Sequence, residues 1–144
     1  MMKYLACFVL LLLSVQAFSI DIISVREMYT RAVESKAITR KLLDELEKAP
    51  KTPVITGYLG ATTILQAKHA FNPFNKLSYF KSGRRILESA IARAPKEVEL
   101  RFLRYAVQVN VPAILNYNSE KAQDRAFLER SLKENRISDP HLRS

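Results

Sequence analysis

The chain has 144 residues, a length that suits a single domain, and apolar residues make up 48% of it, which excludes a disordered tail. Its single cysteine, Cys7, excludes an internal disulfide framework. The formal net charge is +9, which indicates either a solvated basic surface or a face that attracts anionic partners.

The first nineteen residues have the pattern of a secretory signal peptide. Lys3 gives a positive start, residues 5–13 form an apolar run, and Ala17 and Ser19 place small residues before a cleavage site. The run is shorter than the roughly 20 residues that a spanning helix needs, which favours a cleaved signal peptide. A permanent N-terminal anchor is the alternative interpretation. We therefore expect an exported protein, periplasmic or extracellular, with cleavage near Ser19 that also removes Cys7 and leaves a chain held together by packing alone.

The rest of the chain predicts an all-α domain, because prolines divide it into helix-sized pieces and alternating strand patterns are absent. We expect five to six antiparallel helices in one domain over residues 20–136, followed by a flexible tail over residues 137–144. The first helix begins at Ser24, and the others cover residues 36–48, 53–69, 76–94, 98–110 and 119–135. The pattern leaves open whether the first two pieces form one kinked helix or a hairpin.

Hydroxyl and amide side chains mark the predicted helix starts. Ser24 and Glu27 have the spacing of a capping box. Thr52 followed by Pro53 is a start signal, since proline is tolerated at the first helical position. The remaining candidate caps are Ser35, for the second piece, and Asn75, for the helix that follows Asn72-Pro73.

Glycines and apolar stripes indicate how the helices pack. Gly57 and Gly60 lie inside a predicted helix, where each costs about 1 kcal/mol relative to alanine. We therefore expect a neighbouring helix to approach closely along this strip of small residues. The last helix is expected to pack through a stripe formed by Ala122, Ala126, Phe127 and Leu132.

One stretch, Gly83-x3-Leu87-x2-Ala90-x4-Pro95, resembles the second half of a tetratricopeptide repeat. The preceding helix supplies the candidate first half, and the resemblance covers residues 54–96, about a third of the chain. The connection over residues 71–77 departs from the family by being several residues longer. The resemblance implies a non-enzymatic binding scaffold and carries over no ligand residues, and the fold is either tetratricopeptide-like or an irregular helical bundle.

The segment over residues 69–80 holds four aromatic residues and one of the two histidines. We expect the rings to fill the gap where two helices meet through an extended loop, because aromatic residues are more often buried than exposed. The alternative is a recognition loop, in which the rings supply contact area beside Lys68, His69, Asn72 and Lys76.

Basic residues are concentrated between Lys68 and Arg104, where nine Lys/Arg accompany three Glu. We expect part of this charge to be offset by pairing of Glu97 or Glu99 with Arg101 or Arg104. Nucleic acid is not expected as a partner of an exported protein, and the sequence indicates no oligomeric state. The candidate binding residues are Lys68, His69, Asn72, Lys76, Arg84, Arg85, Arg101 and Arg104.

These residues favour a non-enzymatic scaffold that docks an acidic protein in a groove between the helices over residues 54–69 and 76–94. Peripheral attachment of the same basic face to an anionic membrane or polymer is the second hypothesis. A hydrolase built around His69 is a third, although the sequence carries no nucleophile elbow, phosphate loop or metal-ligand spacing. We therefore expect no catalytic residues, no cofactor and no metal.

Overall fold

The computed structural model describes residues 19–143, and within them it contains helices and no strand, so the all-α prediction is confirmed. The predicted signal peptide, with Cys7, lies outside the described residues except for Ser19. The six α-helices of the described part are α1 (Ile22–Ala32), α2 (Lys36–Lys48), α3 (Pro53–His69), α4 (Pro73–Arg93), α5 (Val98–Asn110) and α6 (Lys121–Lys133). Short 3-10 turns cover Ala113–Leu115 and Pro140–Leu142.

Two of the predicted caps are confirmed. The Ser35 hydroxyl accepts a hydrogen bond from the Ile38 amide, and the Thr52 hydroxyl accepts one from the Ile55 amide, with Pro53 at the first helical position. Ser35 starts a separate helix that packs against α1, so the first two pieces form a hairpin.

Two other predicted starts are wrong, because an earlier side chain already caps the helix. Asp21 accepts from the Ile23 and Ser24 amides, which places Ser24 inside the first turn of α1. Asn72 accepts from the Phe74 amide, and α4 therefore begins at Pro73. The connection between α3 and α4 is consequently only residues 70–72, and the long connection expected from the sequence is absent.

The two longest helices, α3 and α4, pack with their backbones in contact at Gly60 and Gly83. A Cβ atom on Gly60 would lie 2.5 Å from the Leu87 backbone nitrogen and 2.8 Å from the Gly83 carbonyl oxygen. The expected close approach along small residues is confirmed. It also means that no docking groove separates α3 from α4 at this crossing, contrary to the sequence-based expectation.

The core lies between α3 and the helices that surround it. Fully buried leucines from α2, α4 and α5 meet around α3, and Tyr117, after α5, stacks edge-to-face on Phe80 with ring centres 5.9 Å apart. The leucines with no exposed surface are Leu42, Leu46, Leu87, Leu100 and Leu103. Packing of this extent is consistent with a chain that coheres without disulfides.

Helix α6 does not pack as its sequence pattern predicted. Ala122, Ala126 and Leu132 are exposed, whereas Asp124 and Ser131 are buried. Of the predicted stripe only Phe127 is partly buried, with the Arg101 guanidinium 4.6 Å from its ring centre. The physical reason is that α5 presents two arginine side chains to α6, and a carboxylate at the contact neutralises them.

After α6 the chain returns to the N-terminal end of α1. Ile137 is buried, and the Asp139 carboxylate lies 2.7 Å from the Arg26 guanidinium. The flexibility expected for residues 137–144 stays a prediction.

Candidate functional site

Two of the predicted binding residues, Arg101 and Arg104, are buried and do not belong to the surface. Both guanidinium groups donate to the Asp124 carboxylate, which has no exposed surface, and the Arg104 Nε lies 2.6 Å from Asp124 Oδ2. Arg104 also donates to Glu88 at 2.9 Å. Placing these arginines on a docking face was wrong, because their charge is neutralised inside the α5–α6 contact.

The expected pairing of Glu97 or Glu99 with these arginines is wrong as well. Glu97 caps α5 by accepting from the Glu99 amide. The buried Glu99 carboxylate accepts from the Arg26 guanidinium at 2.7 and 2.8 Å and from the Tyr58 hydroxyl at 2.6 Å. It therefore ties α1 and α3 to α5.

Three tyrosines hold their protons more tightly in the folded protein than in the unfolded chain. Burial raises the pKa of Tyr29 to about 12. Burial, together with a hydrogen bond to a carboxylate, also raises the pKa of Tyr58, which donates to Glu99, and of Tyr117, which donates to Glu88.

These shifts predict loss of stability in alkali. Unfolded tyrosines ionise near pH 10, so the unfolded chain releases protons first and the free energy of unfolding falls as pH rises above about 10. We expect circular dichroism at 222 nm to show cooperative unfolding there, together with the rise of tyrosinate absorbance. Tyr29→Phe should make the loss less steep with pH, and an unchanged slope would contradict a raised Tyr29 pKa.

Lys68 and His69, at the end of α3, attach that end to α1. The Lys68 ammonium donates to the Val33 carbonyl at 2.7 Å and pairs with Glu34 at 2.8 Å, an interaction that lowers the pKa of the Glu34 carboxyl. The His69 Nε2 lies 3.0 Å from the Ala32 carbonyl oxygen. Because a carbonyl oxygen can only accept, Nε2 carries a proton in this contact, and the Nδ1 of the neutral ring is then an acceptor.

The other four predicted residues differ in their surroundings, and Asn72 is exposed and caps α4. Arg84 stacks on the Tyr117 ring, 4.4 Å from its centre. Arg85 and Lys76 are exposed. Lys68, His69, Asn72 and Lys76 therefore share one end of the molecule, while Arg84 and Arg85 lie further along α4.

That end carries the most exposed aromatic side chains of the described residues. Phe71 is 94% exposed and Phe74 is 84% exposed, and Leu77 is 42% exposed beside them. We call residues 70–77 the hairpin tip. The expectation that the aromatic residues fill a gap at an extended loop is wrong for Phe71 and Phe74, since the short connection leaves no gap, and Phe80 is buried as part of α4.

Cations surround the hairpin tip. Residues 48–87 contain no Asp or Glu, and α2 brings Lys36 and Arg40 to the same end, with the Lys36 ammonium 5.8 Å from the centre of the Phe71 ring. Within residues 19–143, no carboxylate pairs with Lys36, Arg40 or Lys76. We call these three residues the tip cations.

A cavity of about 320 Å3 opens beside the hairpin tip, between α2, the end of α3 and the start of α4. None of its ten lining residues is acidic. They include cationic, amide and aromatic side chains, namely Lys36, Arg40, Gln66, His69, Phe71, Asn75 and Tyr79. The cavity is therefore suited to an anion.

A larger cavity, of about 560 Å3, lies at the opposite end of α3, near the N-terminal ends of α1 and α5. Arg26 there donates to both Glu99 and Asp139. Its lining carries charges of both signs, whereas no acidic residue lines the cavity at the hairpin tip.

Within residues 19–143, no helix is both long and apolar enough to cross a bilayer, and no group of three metal-ligating side chains converges. No protein family model matches the chain, and no curated protein or solved structure is significantly similar to it.

Proposed function

We propose that this protein is a non-enzymatic binding module that attaches peripherally to an anionic membrane surface through its hairpin tip. The observation that carries the proposal is the exposure of Phe71 and Phe74, 94% and 84%, next to cations without acidic partners. A ring with so little contact to its own chain projects into whatever medium the molecule meets. Apolar insertion combined with a basic patch is the two-part signal that stable peripheral attachment needs.

The magnitudes are sufficient for such attachment. Moving one phenylalanine side chain out of water is worth roughly 1.5–3 kcal/mol. Each lysine or arginine close to an anionic membrane adds about 1 kcal/mol, and there are three tip cations. Two phenylalanine side chains and three tip cations together reach about 8 kcal/mol, which corresponds to micromolar binding.

A protein partner is the other use for such a tip, and it was the first expectation from the sequence. Two features favour the membrane. The groove expected between α3 and α4 is closed at Gly60 and Gly83, and Arg101 and Arg104 are buried. What remains for contact is the projecting end with its two exposed rings, beside the cavity between α2, the end of α3 and the start of α4. The proposed attachment accords with the predicted export, which would bring the tip to a membrane surface outside the cytoplasm.

The test measures partition of the full chain onto vesicles. We expect Phe71→Ala with Phe74→Ala to lower binding to phosphatidylcholine vesicles containing phosphatidylserine about 100-fold. The matched control is Ile114→Ala, since Ile114 is 91% exposed but lies in the 3-10 turn after α5. Comparison between variants cancels any contribution of the apolar N-terminal run.

The outcomes separate the hypotheses. Equal binding by the wild type and the double variant would contradict the proposal, as would an equal loss in Ile114→Ala. Capture of an acidic protein by the hairpin tip in detergent, without vesicle binding, would replace the membrane by a protein partner. High salt should weaken binding to anionic vesicles, because it screens the tip cations.

A further inference from the structure

The cavity beside the hairpin tip combines cations with neutral hydrogen-bond donors, whereas attraction to an anionic surface requires only positive charge. Lys36 and Arg40 are four residues apart on α2, so their side chains share one face of that helix and reach the same cavity wall. Neither pairs with a carboxylate within residues 19–143. Two cations without acidic partners thus line the same cavity.

The opposite walls supply further hydrogen-bond donors. Gln66 and Asn75 bring side-chain amides, and Tyr79 brings a hydroxyl. His69 also lines the cavity, but the proton on its Nε2 is directed to the Ala32 carbonyl. Because the donors of this cavity come from three helices, they can reach a bound anion from several directions, which donors on a flat surface cannot do.

We propose that this cavity binds the phosphate monoester of an anionic ligand, so that the hairpin tip selects among anionic lipid headgroups. This inference rests on the proposed function and adds a ligand to it. A tetrahedral dianion matches the site because its several oxygens can accept from a guanidinium, an ammonium and neutral amides at once. A volume of about 320 Å3 equals about ten water molecules of liquid, enough for a phosphate with a glycerol attached.

The position of the cavity connects the proposed phosphate site with the proposed membrane attachment. Phe71 belongs to its wall and to the exposed tip, and the Lys36 ammonium lies 5.8 Å from that ring. When Phe71 enters the interface, the mouth of the cavity reaches the depth of the lipid phosphates. The same phosphate chemistry could also come from a soluble phosphate ester, which the experiment must distinguish.

The experiment compares two pairs of charge-removing substitutions in the full chain. Lys36→Gln with Arg40→Gln removes the cavity cations. The matched control, Lys81→Gln with Arg85→Gln, removes an equal charge with the same four-residue spacing from exposed positions on α4 that do not line the cavity. Binding is measured to vesicles containing phosphatidic acid and to vesicles containing phosphatidylserine, adjusted to equal surface potential.

We expect the wild type to prefer phosphatidic acid by at least about tenfold, since hydrogen bonds to charged groups are among the stronger ones. The cavity variant should lose this preference, and its binding to phosphatidylserine should also weaken, because Lys36 and Arg40 are tip cations. The control variant should bind both vesicles more weakly and keep the preference. The inference would be overturned if the cavity variant kept the preference for phosphatidic acid, or if both variants lost that preference equally. Either result would leave the proposed function standing.

A titration with glycerol 3-phosphate, followed by amide chemical shifts near Lys36 and Arg40, identifies the source of the phosphate. Saturable binding that the cavity variant loses, without vesicle binding by the wild type, would assign the site to a soluble ester and refute membrane attachment. A phosphatidic acid preference without saturable binding of the soluble ester supports the lipid headgroup. Absence of both in the wild type would overturn the cavity site.

Discussion

Asp124→Ala is expected to lower the free energy of unfolding by about 3–5 kcal/mol, the cost of removing one partner from a buried ion pair. The Asp124 carboxylate has no exposed surface and accepts from both Arg101 and Arg104. Without it, two arginines that are only 9% and 6% exposed lose the principal acceptor of their guanidinium groups. Since whole domains are stable by only about 5–15 kcal/mol, the midpoint of urea unfolding should fall steeply.

A surface ion pair provides the control. Glu129 pairs with Arg125 at 2.9 Å on the exposed side of the same helix, so Glu129→Ala should cost no more than about 0.5 kcal/mol. Equal effects of Asp124→Ala and Glu129→Ala would show that the α5–α6 contact does not depend on the buried charges.

A triple variant separates the loss of charge from the loss of packing. The substitutions Asp124→Leu, Arg101→Met and Arg104→Met together remove all three buried charges and keep side-chain volume at the contact. Such replacements are often neutral or stabilising. We expect the triple variant to recover most of the stability that Asp124→Ala loses, because Glu88 keeps its hydrogen bond from Tyr117 and is partly exposed.

The burial of these arginines shows why charge in a sequence does not locate a basic face. Arg101, Arg104 and Gln108 lie at helical spacing on α5, which is the pattern of a second buried stripe. The sequence could have shown this, but polar residues at that spacing are ordinarily assigned to solvent. Their partner, Asp124, follows Arg101 by 23 residues on another helix, and no local rule connects the two positions.

Features that depend on neighbouring residues were predicted well. Pro53 after Thr52 starts α3, and the glycines of α3 do mark a close helix approach. Both follow from backbone geometry that acts within a few residues. The predicted starts at Ser24 and Asn75 were wrong because Asp21 and Asn72, equally good caps, precede them by three residues.

The exposure of the hairpin tip was harder to predict, although one signal was present. Positions on a helix turn by about 100° per residue, so Phe74 is rotated by about 120° from Phe80, which is buried. This rotation removes Phe74 from the apolar face of α4. The signal applies only if the helix begins at Pro73, and that start was obscured because Asn72-Pro73 also suits a helix end.

Burial of two arginines leaves the surface charge more localised than the sequence suggests. Glu34 offsets Lys68, and Asp124 with Glu88 neutralises Arg101 and Arg104. The tip cations keep their charge beside the exposed rings. The arginines therefore stabilise the fold, and the lysines and Arg40 provide the charge available for binding.

The second large effect is expected where α3 crosses α4. A Cβ atom on Gly83 would lie 2.6 Å from the Gly60 carbonyl oxygen, and one on Gly60 would lie 2.5 Å from a backbone nitrogen of α4. Backbone atoms cannot rotate away, so Gly60→Ala or Gly83→Ala must push the helices apart. Overpacking of this kind costs about 1–3 kcal/mol or more, and a gain in helix propensity of about 1 kcal/mol offsets only part of it.

Gly57→Ala is the matched comparison on the same helix. Its Cβ atom would lie 2.2 Å from the Leu100 Cδ2 atom, the end of a side chain that can change rotamer, and its next contact is an ordinary 3.5 Å. We therefore expect chemical unfolding to rank Gly57→Ala as the mildest of the three substitutions. If Gly57→Ala proved the most destabilising, backbone contact would not control the crossing.

The double variant Gly60→Ala with Gly83→Ala tests whether the two glycines share one contact. Once the first methyl group has separated the helices, the second should cost less, so the combined loss should be smaller than the sum of the single losses. Simple additivity would mean that each glycine meets a separate obstacle. The hairpin tip is the continuation of these same two helices, so a non-additive loss accompanied by weaker vesicle binding would connect the crossing to the placement of Phe71 and Phe74.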